Sequence, residues 1–250
     1  MGRFLHSDHA SPPVNFSELY LRVREKEGRL YSDDVVARLP DISSDHPLAK
    51  EWRTRADSST RLIRYLAKLS RPLNILELGC GNGWLSGKLS QISGAQVWGI
   101  DVLSCELTQA SRLFTSPRLT FLAADIFRAP FSHRTFDVIV LASVIQYFPD
   151  LPALITTLQT FLKSHGEIHL LDSPFYQPAE LPFARERSRA YYTALGFAEM
   201  AGHYFHHPVT ALDPYSPRWY YRPENFRVRL THRFGKAVSP FPWIVLGGSP

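Results

Sequence analysis

The sequence is poor in sulfur and has no long apolar run. Two cysteines, Cys80 and Cys105, stand among 250 residues. Their spacing matches neither a zinc nor a dithiol motif, and two residues build no disulfide framework. That usage fits a reducing compartment. The longest apolar stretch, Val138 to Ile145, is far shorter than a bilayer-crossing helix. The opening MGRFLHSDHA lacks the apolar segment of a signal peptide. It also places His6 where a myristoylation pattern needs Ser or Thr. Asn15-Phe16-Ser17 is then a sequon by chance, and a cytoplasmic location is expected. There is no internal repeat and no low-complexity segment.

What is present is ordinary globular composition, 44% hydrophobic and 20% charged, enough for one domain with a full core. The 19 prolines gather toward the two ends, where loops or caps are expected. The net charge of +5 is concentrated in the C-terminal stretch: Arg218, Arg222, Arg227, Arg229, Arg233 and Lys236 face only Asp213 and Glu224. Such a stretch suits nucleic acid, phospholipid or an anionic substrate. No two of these basic residues are adjacent, and a solvated, arginine-flanked hairpin is the preferred reading.

Residues 1–57 read as a polar cap, with a short helix in SELYLRVREKEGRLY ending near Gly28. A firmer helix is expected from Ser58 or Ser59, with Leu62, Ile63, Leu66 and Leu69 on one face. The texture then alternates. Strands are expected at 73–79, 96–101, 119–125, 136–143 and 167–172. Helices are expected at 84–90, at 105–114 and from an N-cap at Asp150. Gly166 closes that helical unit. A further helix spans 180–195 and stops at Gly196, and FPWIVLGG is a returning strand. Alternation of this kind implies right-handed crossovers and a doubly wound, mostly parallel sheet with helices on both faces. The domain proper is placed at 58–250.

The densest signal is ELGCGNGW, residues 77–84. Glycines at the carboxyl end of a first strand permit a tight turn and let a ligand lie against bare backbone. The dinucleotide fingerprint G-x-G-x-x-G fails here, because its third position is Trp84; the spacing instead runs through Gly83. Glu77, just before the turn, would repel a pyrophosphate and suits a ligand with a positive centre or hydroxyl and amine donors.

The segment resembles motif I of class I S-adenosylmethionine-dependent methyltransferases, acidic-x-Gly-x-Gly-x-Gly. The resemblance continues in order over about residues 73–172. It implies a Rossmann-like sheet of seven strands, an N-terminal helical cap and S-adenosylmethionine as cofactor. It assigns Glu77, Gly79, Cys80, Gly81 and Gly83 to the cofactor turn. Asp101, with Val102, would take the ribose hydroxyls, and Asp125, with Ile126, the adenine. Ser143 and Val144 would pass the methionine end. Asp137 opens its strand at the opposite edge and is read as structural.

The acceptor is less legible. Where related enzymes carry a histidine after the fourth strand, this chain reads Val144-Ile145-Gln146-Tyr147, so no catalytic base is evident. Tyr31, Gln146, Tyr147, Tyr176 and His206 are the substrate candidates. His203, His206 and His207 in GHYFHH lack the further ligands of a closed metal site, and no metal is assigned. The segment YSPRWYYRPENF either walls a substrate pocket or staples a cap to the sheet. The expected activity is methyl transfer to a small, apolar or aromatic metabolite. A nucleic-acid methyltransferase and a catalytically silent cofactor-binding protein are the rivals.

Overall fold

The computed structural model describes residues 3–6, 14–224 and 239–247. Arg227, Arg229, Arg233 and Lys236 of the basic stretch lie outside the described residues. In chain order the elements are β1 (Arg3–His6), α1 (Val14–Lys26), α2 (Asp33–Val36), α3 (Ala49–Lys68), β2 (Leu73–Leu78), α4 (Trp84–Leu89), β3 (Ala95–Asp101), α5 (Ser104–Leu113), β4 (Leu119–Ala123), β5 (Phe136–Ala142), α6 (Leu151–Phe161), β6 (Leu162–Leu171), α7 (Leu181–Leu195), β7 (Arg218–Tyr221) and β8 (Trp243–Gly247).

The strands form one sheet in the order β1-β4-β3-β2-β5-β6-β8-β7. Seven of them, β2 to β8, are the expected doubly wound set, and β8 alone runs antiparallel to its neighbours. β1 is an additional edge strand, parallel to β4 with Arg3 opposite Thr120, so part of the segment read as a cap belongs to the sheet. Side-chain alternation places β2 and β5 in two cores at once. Ile75, Val138 and Val140 pack on one face. Leu76, Leu78, Ile139 and Leu141 pack on the other. Burial on both faces is why these strands read as continuous apolar runs.

Two boundaries differ from expectation. The helix placed at Ser58 begins at Ala49, so a division at 57/58 falls inside a single helix. Ser59 Oγ lies 3.2 Å from Ala56 O, and Ser58 Oγ lies 2.8 Å from Thr54 O and 2.7 Å from Asp172 Oδ1. Serine that bonds back along its own helix gives up the capping role its sequence position suggests. The strand expected from residue 167 begins at Leu162, directly after α6, and Gly166 lies within it. The pairing with β5 shifts register between Phe136 and Val138 there, leaving room for Lys163 Nζ to reach Asp137 Oδ2 at 2.7 Å.

Other local signals act as read. Asp150 Oδ1 accepts from Ala153 N at 2.9 Å and caps α6. Gly196 ends α7 at φ +90°. Asp137 sits at the amino end of β5, held by Arg71 Nη1 at 2.6 Å and Asn74 N at 2.8 Å. The aromatic segment before the C-terminal stretch is a staple: Trp219 and Tyr221 on β7 pack into the two cores, with Arg61 over the Tyr221 ring at 3.8 Å.

Candidate active site

The carboxyl ends of the parallel strands open on one cleft where chain order reverses, between β2 and β5. Glu77 lies on the β2 face covered by α4, and Ser86 Oγ of that helix donates to its Oε2 at 2.5 Å. The chain then turns through Gly79 and Gly81 at φ +72° and +50°, conformations that only glycine adopts freely. Gly79 N and Cys80 N both donate to Ile100 O, at 2.8 and 3.1 Å. Gly81 N donates to Asp101 Oδ2 at 2.9 Å, and Leu103 N to Asp101 Oδ1 at 3.0 Å. The turn after β2 and the acid ending β3 are thereby fixed to each other.

This turn forms one wall of a cavity of about 560 Å³, within the range of small-ligand pockets. Glu77, Gly79, Cys80, Gly81, Asp101 and Val102 line it, as do Asp125, Ile126, Ser143 and Val144. Gly83 does not. It is buried behind the turn at φ +77°, where an added methyl would stand 2.7 Å from Ala110 Cβ and from Phe121 Cζ. It lets α4 start hard against α5 and β4, a packing role and not a ligand contact.

Four carboxylates line the cavity, Glu77, Asp101, Asp125 and Glu106, and the sequence pointed to all but Glu106. Glu106, near the start of α5, brings Oε2 to within 3.1 Å of the position of a Gly81 Cβ. Burial pushes the Glu77 carboxyl up to about 8, and the Asp101 charge adds to the rise against the Ser86 hydrogen bond. Burial and then Asp101 raise Glu106 to about 7, with Arg24 opposing. Asp101 is also raised by burial, although the backbone N–H groups of Leu103 and Gly81 pull it down. The Cys80 thiol is pushed well up by burial and by these carboxylates, which leaves it unreactive. Only the position of Glu106, five residues beyond Asp101 in a helix behind the cofactor strands, could have signalled it.

The other wall comes from the N-terminal elements. Phe16, Tyr20 and Arg24 of α1 line the cavity, with Arg24 stacked on Tyr20 at 4.8 Å and Tyr20 edge-on to Tyr147 at 5.5 Å. Tyr31 lines it too; its hydroxyl accepts from Trp52 Nε1 at 3.0 Å, and Trp52 meets Trp84 edge-on at 5.4 Å. A second cavity, about 840 Å³, adjoins the first over the ends of β5 and β6. Arg24, Arg29, Arg55, Ser143 and Tyr147 line both. Gln146 lines the second, with Nε2 donating to Ser143 O at 2.7 Å.

Two substrate candidates fall elsewhere. His206 bonds Ser188 Oγ at 2.9 Å and stacks between Tyr176 and Tyr204 at 5.4 and 5.2 Å. Neither His206 nor Tyr176 lines either cavity; Tyr176 is held instead by a backbone bridge to the Pro208 segment. His207 is spent on Ile145 O at 3.1 Å, whereas His203 stacks on Phe16 at 5.2 Å and lines the first cavity.

Residues 75–166 match a family model described as a methyltransferase domain. That stretch is similar to methyltransferase domains. Among curated relatives of the domain, a malonyl-[acyl-carrier protein] O-methyltransferase from Halalkalibacterium halodurans is 31% identical over 116 residues, which is 42% of this chain and 43% of that protein. A sterol 4-C-methyltransferase from Caenorhabditis elegans is 28% identical over 109 residues, 42% of this chain and 32% of that protein. The chain thus spans less than half the length of these relatives. Among solved structures, the geranyl diphosphate C-methyltransferase of Streptomyces coelicolor A3(2) has the same fold, with TM-score 0.57, 12% identity, and coverage of 95% of this chain and 99% of that one.

Proposed function

We propose that this protein transfers a methyl group from S-adenosylmethionine to a small, apolar or ring-bearing molecule. The observation that carries the reading is the convergence of Glu77, Asp101 and Glu106 on the cavity beneath the glycine turn. Burial raises all three carboxyls, and the Asp101 charge adds to the rise of Glu77 and Glu106, so the space calls for a ligand that brings positive charge and hydrogen-bond donors. S-adenosylmethionine supplies both, with its sulfonium, ammonium and ribose hydroxyls, and it brings an activated methyl group.

Each residue then has a task. Gly79, Cys80 and Gly81 offer bare backbone to the cofactor. Each Asp101 oxygen accepts one backbone N–H, and a carboxylate oxygen has a second acceptor site, which leaves one for each ribose hydroxyl. Asp125 Oδ1 is occupied by Phe127 N at 3.0 Å, which fixes the side chain beside Ile126 for the adenine. Ser143 and Val144 border the methionine end, and Ser143 also lines the second cavity, which is therefore the acceptor's place. α1 closes over both and excludes water, so that alignment and desolvation accelerate the transfer.

Calorimetry with S-adenosylmethionine and S-adenosylhomocysteine tests the reading. One-to-one binding is expected, and lost in Asp101→Ala. A folded chain that gives no binding heat with either overturns it.

A further inference from the structure

The second cavity holds a buried carboxylate that the cofactor reading leaves without a task. Asp172 directly follows β6, is 7% exposed, and lines that cavity next to Ser143 and Gln146. Ser58 Oγ of α3 donates to its Oδ1 at 2.7 Å, and Ser239 Oγ lies 3.4 Å from the same atom. Among the described residues nothing donates to Oδ2. A buried carboxylate with one oxygen fixed by two hydroxyls and the other left over is oriented without being neutralised.

The backbone is strained at the same point. Asp172 has φ +50° and Ser143, at the end of the neighbouring strand, has φ +59°. The two are tied together: Ser143 N donates to Leu171 O at 3.0 Å and Ser143 Oγ to Asp172 O at 2.7 Å. Left-handed backbone at non-glycine residues costs of order 1–3 kcal/mol each and persists where the surroundings impose it, commonly at functional sites. Here Ser143 lines both cavities and Asp172, beside it, lines the second.

The charges around Asp172 select what it can meet. Burial raises the Asp172 pKa above the ordinary value, and Arg55 and Arg61 of α3, with the Ser58 and Ser239 hydroxyls, act against that rise. Arg24 of α1 and Arg29, three residues past its end, face the cavity, paired with Glu27 at 3.3 and 3.1 Å. Glu51 takes Arg29 at 2.7 Å and Arg55 at 3.0 Å. Lys50 and the α7 residue Arg187 add positive charge at the rim. Arg61 apart, five cations line this cavity against three carboxylates, a balance that disfavours a protonated amine. Tyr191, Tyr192, Tyr204 and Phe241 supply ring surface. A carboxylate acceptor would meet Asp172 as a like charge.

We propose that Asp172 accepts the proton from a hydroxyl acceptor on a ring-bearing or otherwise apolar molecule held in the second cavity. The proposal rests on the methyl-transfer reading above. An oxygen lone pair of the acceptor forms the bond to the methyl carbon as the carbon–sulfur bond breaks and its electron pair returns to sulfur. The hydroxyl proton passes to Asp172, leaving a methyl ether, a neutral thioether and a protonated carboxyl. No further reactant is needed.

The test incubates the full chain with methyl-labelled S-adenosylmethionine and the small-molecule fraction of a cell extract, and identifies the labelled product. A methyl ether is expected. Asp172→Asn should slow labelling by about 100-fold and leave S-adenosylhomocysteine affinity by calorimetry unchanged. Ser58→Ala keeps the carboxylate but removes a donor to its charged form, so the acid limb of the rate–pH profile should move to higher pH with the plateau rate retained. This second variant decides the matter if Asp172→Asn does not fold, because a merely structural role moves no pH limb. Label on nitrogen, sulfur or carbon, or an Asp172→Asn rate close to that of the parent, overturns the proposal. So does cofactor binding with no labelled product, which leaves the cofactor assignment standing. Absence of cofactor binding overturns the methyl-transfer reading itself.

Discussion

Ser86 Oγ donates to Glu77 Oε2 at 2.5 Å across the interface between α4 and β2. The carboxyl it contacts titrates at about 8, lifted by burial, far above the ordinary glutamate value of about 4.3. A group raised in this way contributes stability that is fully present below its unfolded value and is lost as pH rises through the folded one. The ligand-free protein should therefore lose thermal stability between about pH 4.5 and about 8. Glu77→Gln should flatten that loss, matching the parent at low pH and exceeding it at about pH 8. Thermal denaturation of both proteins across this range is the check; parallel curves would exclude a neutral Glu77.

The same carboxyls make ligand binding a proton-release event. Glu77 at about 8 and Glu106 at about 7 are largely or partly protonated at neutral pH. A cationic ligand favours their ionised forms. Binding of S-adenosylmethionine at about pH 7 should release protons, and release should vanish well above pH 8 as both groups become ionised beforehand. Calorimetry in buffers of different ionisation enthalpy counts them. A binding heat independent of buffer at neutral pH contradicts the electrostatic account of the cleft.

Gly83 and Gly196 separate two reasons for glycine. Both have positive φ, but a methyl at Gly83 would collide with Ala110 and Phe121, whereas one at Gly196 meets nothing within 4 Å. Gly196→Ala should cost about 1–2 kcal/mol, the left-handed backbone penalty alone. Gly83→Ala should add an overpacking cost of about 1–3 kcal/mol and lower cofactor affinity by displacing the turn. Urea denaturation of the two variants compares them; equal losses would remove the packing argument.

Asp137 should behave in the opposite way to the cleft acids. Burial would raise its pKa, but Asn74 N, Lys163 and Arg71 hold it below the ordinary value. Its stabilisation is therefore present above the unfolded pKa and lost as pH falls through the lower folded value. Asp137→Ala should cost about 1–3 kcal/mol at neutral pH and leave S-adenosylhomocysteine affinity unchanged. A large fall in affinity would show that the amino-terminal edge of the sheet reaches the cleft.

The sheet was legible because β2 to β6 are buried on both faces and carry little but apolar residues, and because the acids at their ends recur in order. β1 was not, since a four-residue edge strand leaves too short a pattern to repeat. The start of α3 was hidden because Ser58 looks like a cap but is used inside the helix. Within the site, residues on the strands and their following turns were readable from position. Those arriving from elsewhere were not: Arg24 and Tyr20 come from a helix whose sequence looks like solvated surface, and Glu106 looks like an ordinary helical glutamate. His206 and Tyr176 failed for the converse reason, that their chemistry is spent on each other and on Ser188. Asp172 ended a recognised strand, yet only its burial and its left-handed backbone set it apart from a capping residue.

Arg24 belongs to the walls of both cavities. A single helix side chain therefore senses the occupant on either side, and the two affinities cannot be tuned separately. Whatever factor a bound cofactor applies to acceptor affinity through this residue, the acceptor must return to the cofactor. Spent cofactor still in its place should then hold the product as well, so that the order of release, and with it turnover, is coupled through the side chains the two walls share, Arg24 among them.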